Sequence, residues 1–335
     1  MQRPVLSLLL AAPLLVASAI LAAEIVPGVD LVPGSFVAGA QPDGNTVVFR
    51  APEGLIVVDT GRHAGHTQAI LDLARKAGVP IVAVINSHWH LDHIGGNPRV
   101  RRAYPGVRVW ASDALAGAMT GFLATYRAQL QELAAKTQDP SERRVFQDEL
   151  AIIDAGAALA PDEVVTGTGP RTIAGRALQL GLERNAVTAG DVWVFDRATG
   201  VLAAGDLVTL PAPLFDTACP RGWQGALARL AAVNFELLVP GHGRVMTRAE
   251  FERYRAGFDR LLACAASDQA AGACVDGWLR DVGALVPEGD RGLARGLLQY
   301  YLPSSLRAAP EKLAPLCGDE RRCGSTERAA TPGHP

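Results

Sequence analysis

Ser87-His88-Trp89-His90-Leu91-Asp92-His93 carries three of the chain's seven histidines and an aspartate within positions 88–93. It follows on Ile81–Ile85, a continuous apolar run rich in β-branched residues. Such a run is the pattern of a strand buried on both faces. The histidines therefore stand at a strand end, where α/β folds place their sites. His88, His90, Asp92 and His93 are imidazole and carboxylate donors suited to zinc and its first-row neighbours. His88 and His90 alternate and can face one side of a turn, with Asp92 and His93 at an adjoining position. The plain alternative is a histidine-rich surface turn without metal. The buried strand in front and the aspartate inside the run argue against it.

Outward from this stretch the chain alternates between strand and helix patterns. Thr46–Arg50 and Leu55–Asp59 are β-rich runs separated by the turn Pro52-Glu53-Gly54. His66–Ala77 has a helical pattern that Gly78-Val79-Pro80 stops. Val107–Trp110 is another short strand. Ser112 to Ala157 is a helical insert broken at Asp139-Pro140-Ser141, with Ser141 as the expected cap. Strand patterns return at Ala177–Leu182, Asp191–Phe195, Val201–Ala204 and Phe235–Val239, with a helix over Trp223–Val233 and a turn at Asp196–Gly200. After Thr247 the pattern is helical. Two mixed blocks around a helical insert predict an α/β sandwich. A nucleotide-binding doubly wound fold fails, since no strand is followed by G-x-G-x-x-G or G-x-x-x-x-G-K.

The 335 residues, 49% hydrophobic and 20% charged, suffice for one large domain or two smaller ones and exclude a disordered or fibrous chain. A net charge of −2 without basic runs leaves no footprint for nucleic acid or for a polybasic membrane surface. Arg3, the apolar run Val5–Leu21 and Ala17-Ser18-Ala19 have the layout of a signal peptide over residues 1–23, cut near Ile20 or Glu24. Pro13 and the small-residue end oppose a membrane anchor, so none is expected after cleavage and the mature protein is expected to be periplasmic or secreted. Oxidising compartments favour disulfides. The close spacings of the five cysteines point to Cys264–Cys274 and Cys317–Cys323, with one thiol left over, although sequence does not determine pairing. The expected layout is a main domain over 24–247, a helical extension over 248–325 and a flexible tail over 326–335.

The run His88-x-His90-x-Asp92-His93 resembles the H-x-H-x-D-H motif of the metallo-β-lactamase superfamily, whose fold is an αββα sandwich with metal at one edge. Further stretches match in order. Val57-Val58-Asp59-Thr60-Gly61 resembles the early strand whose aspartate supports the metal site from behind. Ala204-Gly205-Asp206 resembles the strand end that supplies a metal-bridging carboxylate. Val239-Pro240-Gly241-His242-Gly243 resembles the last ligand-bearing turn. Together they span Asp59 to His242. The fold class this implies is αββα, with a helical insert and a C-terminal helical extension.

One piece departs from the family. Where a histidine is usual in a His-Thr-x-Gly-Asp stretch, this chain has Val187-Thr188-Ala189-Gly190-Asp191. Glu183 and Asn185 are nearby, and both are expected to be solvated loop residues. By resemblance, one metal position takes His88, His90 and the absent histidine; the other takes Asp92, His93 and His242, with Asp206 bridging. The second is the more complete. Zinc is the expected metal, with one or two ions, and iron or manganese fits the same ligands. The implied chemistry is metal-assisted hydrolysis, in which water made acidic by the metal attacks an ester, a thioester or a related bond of a small molecule. Asp92 and Asp206 are the candidate catalytic carboxylates. A β-lactamase is less expected, because those enzymes generally keep the histidine that is Val187 here. The rival reading is a degenerate, non-catalytic metal- or ligand-binding protein. Trp89, Phe215 and Trp223 are candidates for a substrate mouth, with core packing the favoured role. Cys219 has no evident base and is expected to be a structural thiol or disulfide partner.

Overall fold

A computed structural model describes residues 22–36 and 41–318. The expected signal peptide, apart from Ala22 and Ala23, lies outside the described residues, as do Cys323 and the 326–335 tail. The first half contains β1 (Ala23–Val26), β2 (Val29–Val32), β3 (Thr46–Ala51), β4 (Gly54–Val58), α1 (Ala64–Ala77), β5 (Ile81–Ile85), the single-turn α2 (Leu91–Ile94), α3 (Asn97–Ala103) and β6 (Arg108–Ala111). The insert supplies α4 (Ala114–Thr120), α5 (Phe122–Lys136) and α6 (Pro140–Asp154), and β7 (Glu163–Val164) follows. These strands form one sheet in the order β1-β2-β3-β4-β5-β6-β7, antiparallel up to β4 and parallel from there.

The second half runs β8 (Gly169–Ile173), β9 (Arg176–Glu183), β10 (Asp191–Asp196), β11 (Val201–Thr209), α7 (Pro220–Ala231), β12 (Leu237–His242) and β13 (Met246–Thr247). Its sheet has the order β13-β12-β11-β10-β9-β8, with β11 and β12 parallel. Among the described residues the α-helices α8 (Arg248–Ala265), α9 (Ala271–Val282), α10 (Arg291–Tyr301) and α11 (Pro310–Cys317) follow. Among the described residues no helix is long and apolar enough to cross a membrane.

Period-two alternation explains the layers. Val47, Phe49, Ile56, Val58 and Ile85 meet Leu178, Leu180, Val192, Val194 and Val239 between the sheets. Val48, Leu55, Val57 and Val84 face the other way, onto Ile70 and Ala74 of α1. On the far side, Trp193, Phe195, Leu202 and Leu238 pack with Trp223 and Leu227 of α7 and with Phe251, Tyr254 and Trp278 beyond it. Each sheet is thus covered on both faces, which is why its strands read as unbroken apolar runs. This is the expected αββα sandwich.

Three details differ from the sequence expectation. The cap of α6 is Asp139, whose carboxylate accepts the Ser141 N–H at 2.8 Å, and not Ser141. Pro140 occupies the first helical turn, so the capping position falls on the residue before it. The short strands β1, β2, β7, β8 and β13 carry too few residues, or in β8 a Gly-Pro start, to stand out by pattern. Cys317 is bonded to Cys219, not to Cys323, while Cys264–Cys274 forms as its spacing implies. Proximity in sequence selected the wrong partner because α11 brings Cys317 back to the start of α7.

Candidate metal centre

The loop after β5 divides its ligating residues by geometry. His90 is still extended (φ −62°, ψ 144°) and caps α2, its carbonyl accepting the N–H groups of His93 (3.0 Å) and Ile94 (3.1 Å). His88 and His90 therefore lie before the helical turn, and Asp92 and His93 lie within it. Strands β11 and β12 complete the set: their parallel pairing, interrupted by register shifts, sets Gly205 against Pro240 and Thr209 against His242. The approach is close. Gly205 has φ 54°, and a Cβ there would meet the Ser87 side chain at 2.5 Å; a Cβ at Gly241 would lie 1.9 Å from Asp206 Oδ1. Only glycine fits either place.

Two groups of ligand atoms result, each within 4.8 Å of one another: a first group of His88, His90 and Asp206, and a second of Asp92, His93 and His242. Asp206 lies between them. Its Oδ2 is 3.8 Å from His88 Nε2, and its Oδ1 is 3.3 Å from His93 Nε2 and 3.5 Å from His242 Nε2. In the second group, Asp92 Oδ2 is 3.5 Å from His93 Nε2 and 3.0 Å from His242 Nε2. Neither the Asp206 contacts nor the short Asp92–His242 approach leaves the histidines paired: His88 Nε2, His93 Nε2, His242 Nε2 and Asp206 Oδ1 are buried without a hydrogen-bond partner among the described residues. Buried polar atoms are ordinarily satisfied. Orphaned imidazole nitrogens around a shared carboxylate are what a bound divalent cation would satisfy, so these residues fit a metal centre.

The opposite ring nitrogens of His88 and His93 are engaged. Asp59 accepts the Ser87 N–H and hydroxyl, both at 2.7 Å, and its Oδ2 lies 2.8 Å from His93 Nδ1. Ser87 Oγ, having given its proton to Asp59, accepts from His88 Nδ1 at 2.9 Å. One carboxylate thereby orients two imidazoles with Nε2 free, the arrangement of a carboxylate–histidine–metal triad. Asp59 reaches this place through a left-handed backbone (φ 64°) just after β4.

Charge follows the same geometry. Burial disfavours the His93 cation, yet the carboxylates of Asp206, Asp59 and Asp92 outweigh it and hold His93 well above the usual imidazole range. His88 is held well below that range, first by burial and then by His93 and His90. Burial would raise Asp92 and Asp206. Against it, His93, the adjacent His242 ring and Arg62 hold Asp92 far below the carboxylate range, and His242 and His93 do the same for Asp206. A divalent cation would replace these protons as the positive charge in the cluster.

Sequence reasoning missed several residues around the site. Arg62, 7% exposed, brings Nη2 to 3.6 Å from Asp92 Oδ1 and donates through Nη1 to buried Glu149 of α6. Thr217 lies 2.9 Å from His90 Nε2 and donates to the Val187 carbonyl at 2.9 Å. Val187 itself is buried in the apolar cluster beside α7 and offers the first group no side-chain donor. Glu183 proves not to be a solvated loop residue: it ends β9, is buried, accepts Trp193 Nε1 at 3.2 Å and pairs with Arg229. Asn185 is half-buried in a left-handed turn. Phe215 and Trp223 are core residues, packed on each other and on Phe258. Trp89 packs edge-on to His90 and against Phe122 of the insert.

Comparison with known proteins agrees with this architecture. The sequence family described as the Metallo-beta-lactamase superfamily matches residues 41–242. A linear primary-alkylsulfatase from Pseudomonas sp. (strain ATCC 19151) is 26% identical over 225 residues, 61% of this chain and 42% of its own length. A hydroxyacylglutathione hydrolase from Gloeobacter violaceus is 40% identical over 52 residues, 16% of this chain and 21% of its own. The chain thus spans less than half the length of these curated relatives. Among solved structures, the sec-alkylsulfatase Pisa1 from Pseudomonas sp. superposes with a TM-score of 0.58 at 17% identity, over 87% of this chain and 52% of that one. A metallo-beta-lactamase from Pontibacter korlensis superposes with a TM-score of 0.52 at 21% identity, over 71% and 98%. With the family match running from Gln41 to His242, across both sheets and every residue of the two ligand groups, the chain belongs to the metallo-β-lactamase superfamily.

Proposed function

We propose that the protein is a metal-dependent hydrolase, with zinc as its metal, acting on a small-molecule ester, thioester or sulfate ester. The observation that carries this reading is the cluster of orphaned buried donor atoms on His88, His93, His242 and Asp206. The alkylsulfatase and hydroxyacylglutathione hydrolase relatives support the bond classes.

Bound there, a divalent metal would supply Lewis acidity toward the scissile bond and acidify water. The chain's own residues do the rest. Asp206 spans both ligand groups through its two oxygens. Asp92 presents Oδ2 to the second group while Arg62 stands beside Oδ1, and against burial His93, His242 and Arg62 together keep the carboxylate ionised. Asp92 Oδ2 and Asp206 Oδ1 are the carboxylate oxygens that face the second group's histidines. Both carboxyls are strongly acidic, which suits holding cations better than acting as bases. Beside His242 lies a cavity of about 170 Å³, lined in part by Phe36, Leu210, Pro211 and Leu285. Arg244 and Asp290 also line it, so it offers a small group both apolar and charged walls beside the metal centre.

Purified protein loaded separately with zinc, iron or manganese should turn over at least one carboxylic ester, thioester or sulfate ester, and penicillins, cephalosporins and carbapenems weakly or not at all. Efficient carbapenem hydrolysis would reverse that ranking. Tight metal binding without turnover of esters, thioesters, lactones, phosphodiesters or β-lactams would establish the non-catalytic alternative, which Val187 favours.

We also propose export after cleavage near Ile20 or Glu24, with residues 24–247 as the catalytic domain and 248–325 as an extension. Intact mass before and after reduction should give that N-terminus and the disulfides Cys219–Cys317 and Cys264–Cys274. A full-length chain with five free thiols would overturn it.

A further inference from the structure

The loop between β11 and α7 touches the metal centre on one side and the C-terminal helices on the other. On the inner side, Thr217 lies between the His90 ring and the backbone of the strand-pair turn: its Oγ1 is 2.9 Å from His90 Nε2 and 2.9 Å from the Val187 carbonyl oxygen. Two residues on, the Cys219 N–H donates to the Ala186 carbonyl at 2.8 Å. A hydroxyl has one proton and a carbonyl can only accept, so that proton belongs to Val187. Toward His90 the hydroxyl must then accept, which places the imidazole proton on Nε2 and leaves Nδ1 as the lone pair.

On the outer side the same loop and the strand end leading into it are held by residues 254–317. Tyr254 Oη accepts the Thr209 N–H at 3.2 Å, Trp278 Nε1 donates to the Pro211 carbonyl at 3.1 Å, and Tyr301 Oη donates to Asp216. The disulfide Cys219–Cys317 closes a separation of 98 residues at the loop's end. Thr217 lies between the Tyr301 contact at Asp216 and the disulfide at Cys219.

We propose that Thr217 is a positioning residue that sets the tautomer and aim of His90, and that the C-terminal helices act on the first ligand group through it, with Cys219–Cys317 as the strut. This rests on the reading that His88, His90 and Asp206 hold a metal ion. The backbone of Val187 thereby serves the site: the turn that lacks the family's imidazole supplies the carbonyl that orients a remaining one. Among the described residues Thr217 makes no hydrogen bond to Asp92, His93 or His242, so the two groups respond differently to its loss.

The test uses the full mature chain, with zinc as the probe. Nitrogen-15 NMR of the histidine rings in metal-free protein reads the His90 tautomer directly, and calorimetric titration reads the affinity of each zinc. Thr217→Val should mix the His90 tautomers and weaken the first-group zinc about 10- to 100-fold, the usual range for loss of an orienting partner, with the second-group zinc unchanged. Thr217→Ser, which keeps the hydroxyl, should restore both readouts. The Cys219→Ala/Cys317→Ala double variant should fall between Thr217→Val and wild type. A merely structural role for Thr217 would lower the melting temperature and leave the tautomer pure; that result overturns the proposal, as does Thr217→Val with unchanged zinc affinities. Should wild type bind only one zinc, the reading of the first group as a metal position fails, and the tautomer spectra still decide whether Thr217 positions His90. If Thr217→Val does not fold, a double-cysteine variant with wild-type tautomer and affinities overturns the strut.

Discussion

Behind the second ligand group stand charges: Asp59 on His93, and the Arg62–Glu149 pair on Asp92. Directly behind the first stand hydroxyls: Ser87, itself bonded to Asp59, on His88 and Thr217 on His90. The two groups share Asp206 and a single loop, so the contrast lies in what orients their ligands. A buried charge held by a fixed partner has no cheap alternative arrangement, because separating the pair exposes an uncompensated ion to low dielectric. A hydroxyl holds its imidazole by one neutral hydrogen bond, which costs less to break than a buried ion pair. The second group is therefore the rigid one, and the first, already short of an imidazole at Val187, is the adaptable one.

The largest expected effect separates the two groups outright. His242→Ala removes one of three protein ligands from the second group and should cost roughly 100-fold or more in its metal affinity, together with most turnover. His88→Ala should cost less turnover if the second group holds the more tightly bound metal. Elemental analysis after dialysis against one metal buffer, with initial rates, reads both. Equal losses in the two variants would erase the distinction between rigid and adaptable sites.

Next in size is the charged backing. Arg62→Met leaves Glu149 buried without its partner, and breaking a buried pair this way costs about 3–5 kcal/mol. The same change removes the cation beside Asp92, so second-group metal affinity should also fall about tenfold. Arg62→Met/Glu149→Leu should regain most of the stability without regaining the affinity. Chemical denaturation and zinc titration of both variants measure the two effects apart. If affinity returned with stability, Arg62 would be a packing residue of the insert and nothing more.

A smaller effect, in the opposite direction, comes from Val187→His. It should raise bound metal toward two ions per chain and tighten the first group about tenfold. The new ring must displace apolar neighbours in the cluster beside α7, which is where some folding stability would be lost. Unchanged metal content would mean that the backbone there cannot aim a ring at His88 and His90.

The ligands are legible in the sequence because each is announced locally. His88 to His93 form one run behind one apolar strand, and Asp206 and His242 each follow a glycine that the close approach of β11 and β12 demands. The central strands β4, β5, β10 and β11 are legible too, since burial on both faces makes them continuous apolar runs, whereas the two-residue edges β7 and β13 carry no pattern. What stands behind the ligands is not legible. Thr217 meets His90 across 127 positions and Glu149 meets Arg62 across 87, and threonine or glutamate in a loop or helix has no pattern that names its partner. Pairing cysteines by short spacing fails for the same reason: Cys219 and Cys317 are 98 residues apart, and only the folded chain brings them together. The burial of Glu183 is not legible either, because it depends on Trp193 and Arg229, which reach it only when β9, β10 and α7 assemble.

The smallest effect lies at the outer edge of the charged backing. Asp43 accepts the backbone N–H of Arg62 at 2.6 Å, and its Oδ2 lies 2.9 Å from His63 Nδ1. Next to it, the Gly44 N–H donates to the Asp92 carbonyl at 3.0 Å. The hydrogen bond from Asp43 raises His63 above the ordinary imidazole range; burial and Arg62 oppose it, and Glu149 adds to it. A raised folded-state pKa means that the pair stabilises the fold fully below the unfolded value of about 6.5 and loses that contribution as pH climbs through the folded value. Asp43 stays ionised across this window: burial works against its charge, but the bonds from His63 keep its pKa lowered. His63 is half-exposed, so solvent screening limits the effect to less than about 1 kcal/mol. His63→Gln should therefore be less stable than wild type at pH 6, and the gap should close by pH 9. Urea denaturation of both proteins at the two pH values measures it. A gap that stays constant or widens as pH rises would show that His63 contributes packing alone, and that the charged surroundings of Asp92 end at Arg62.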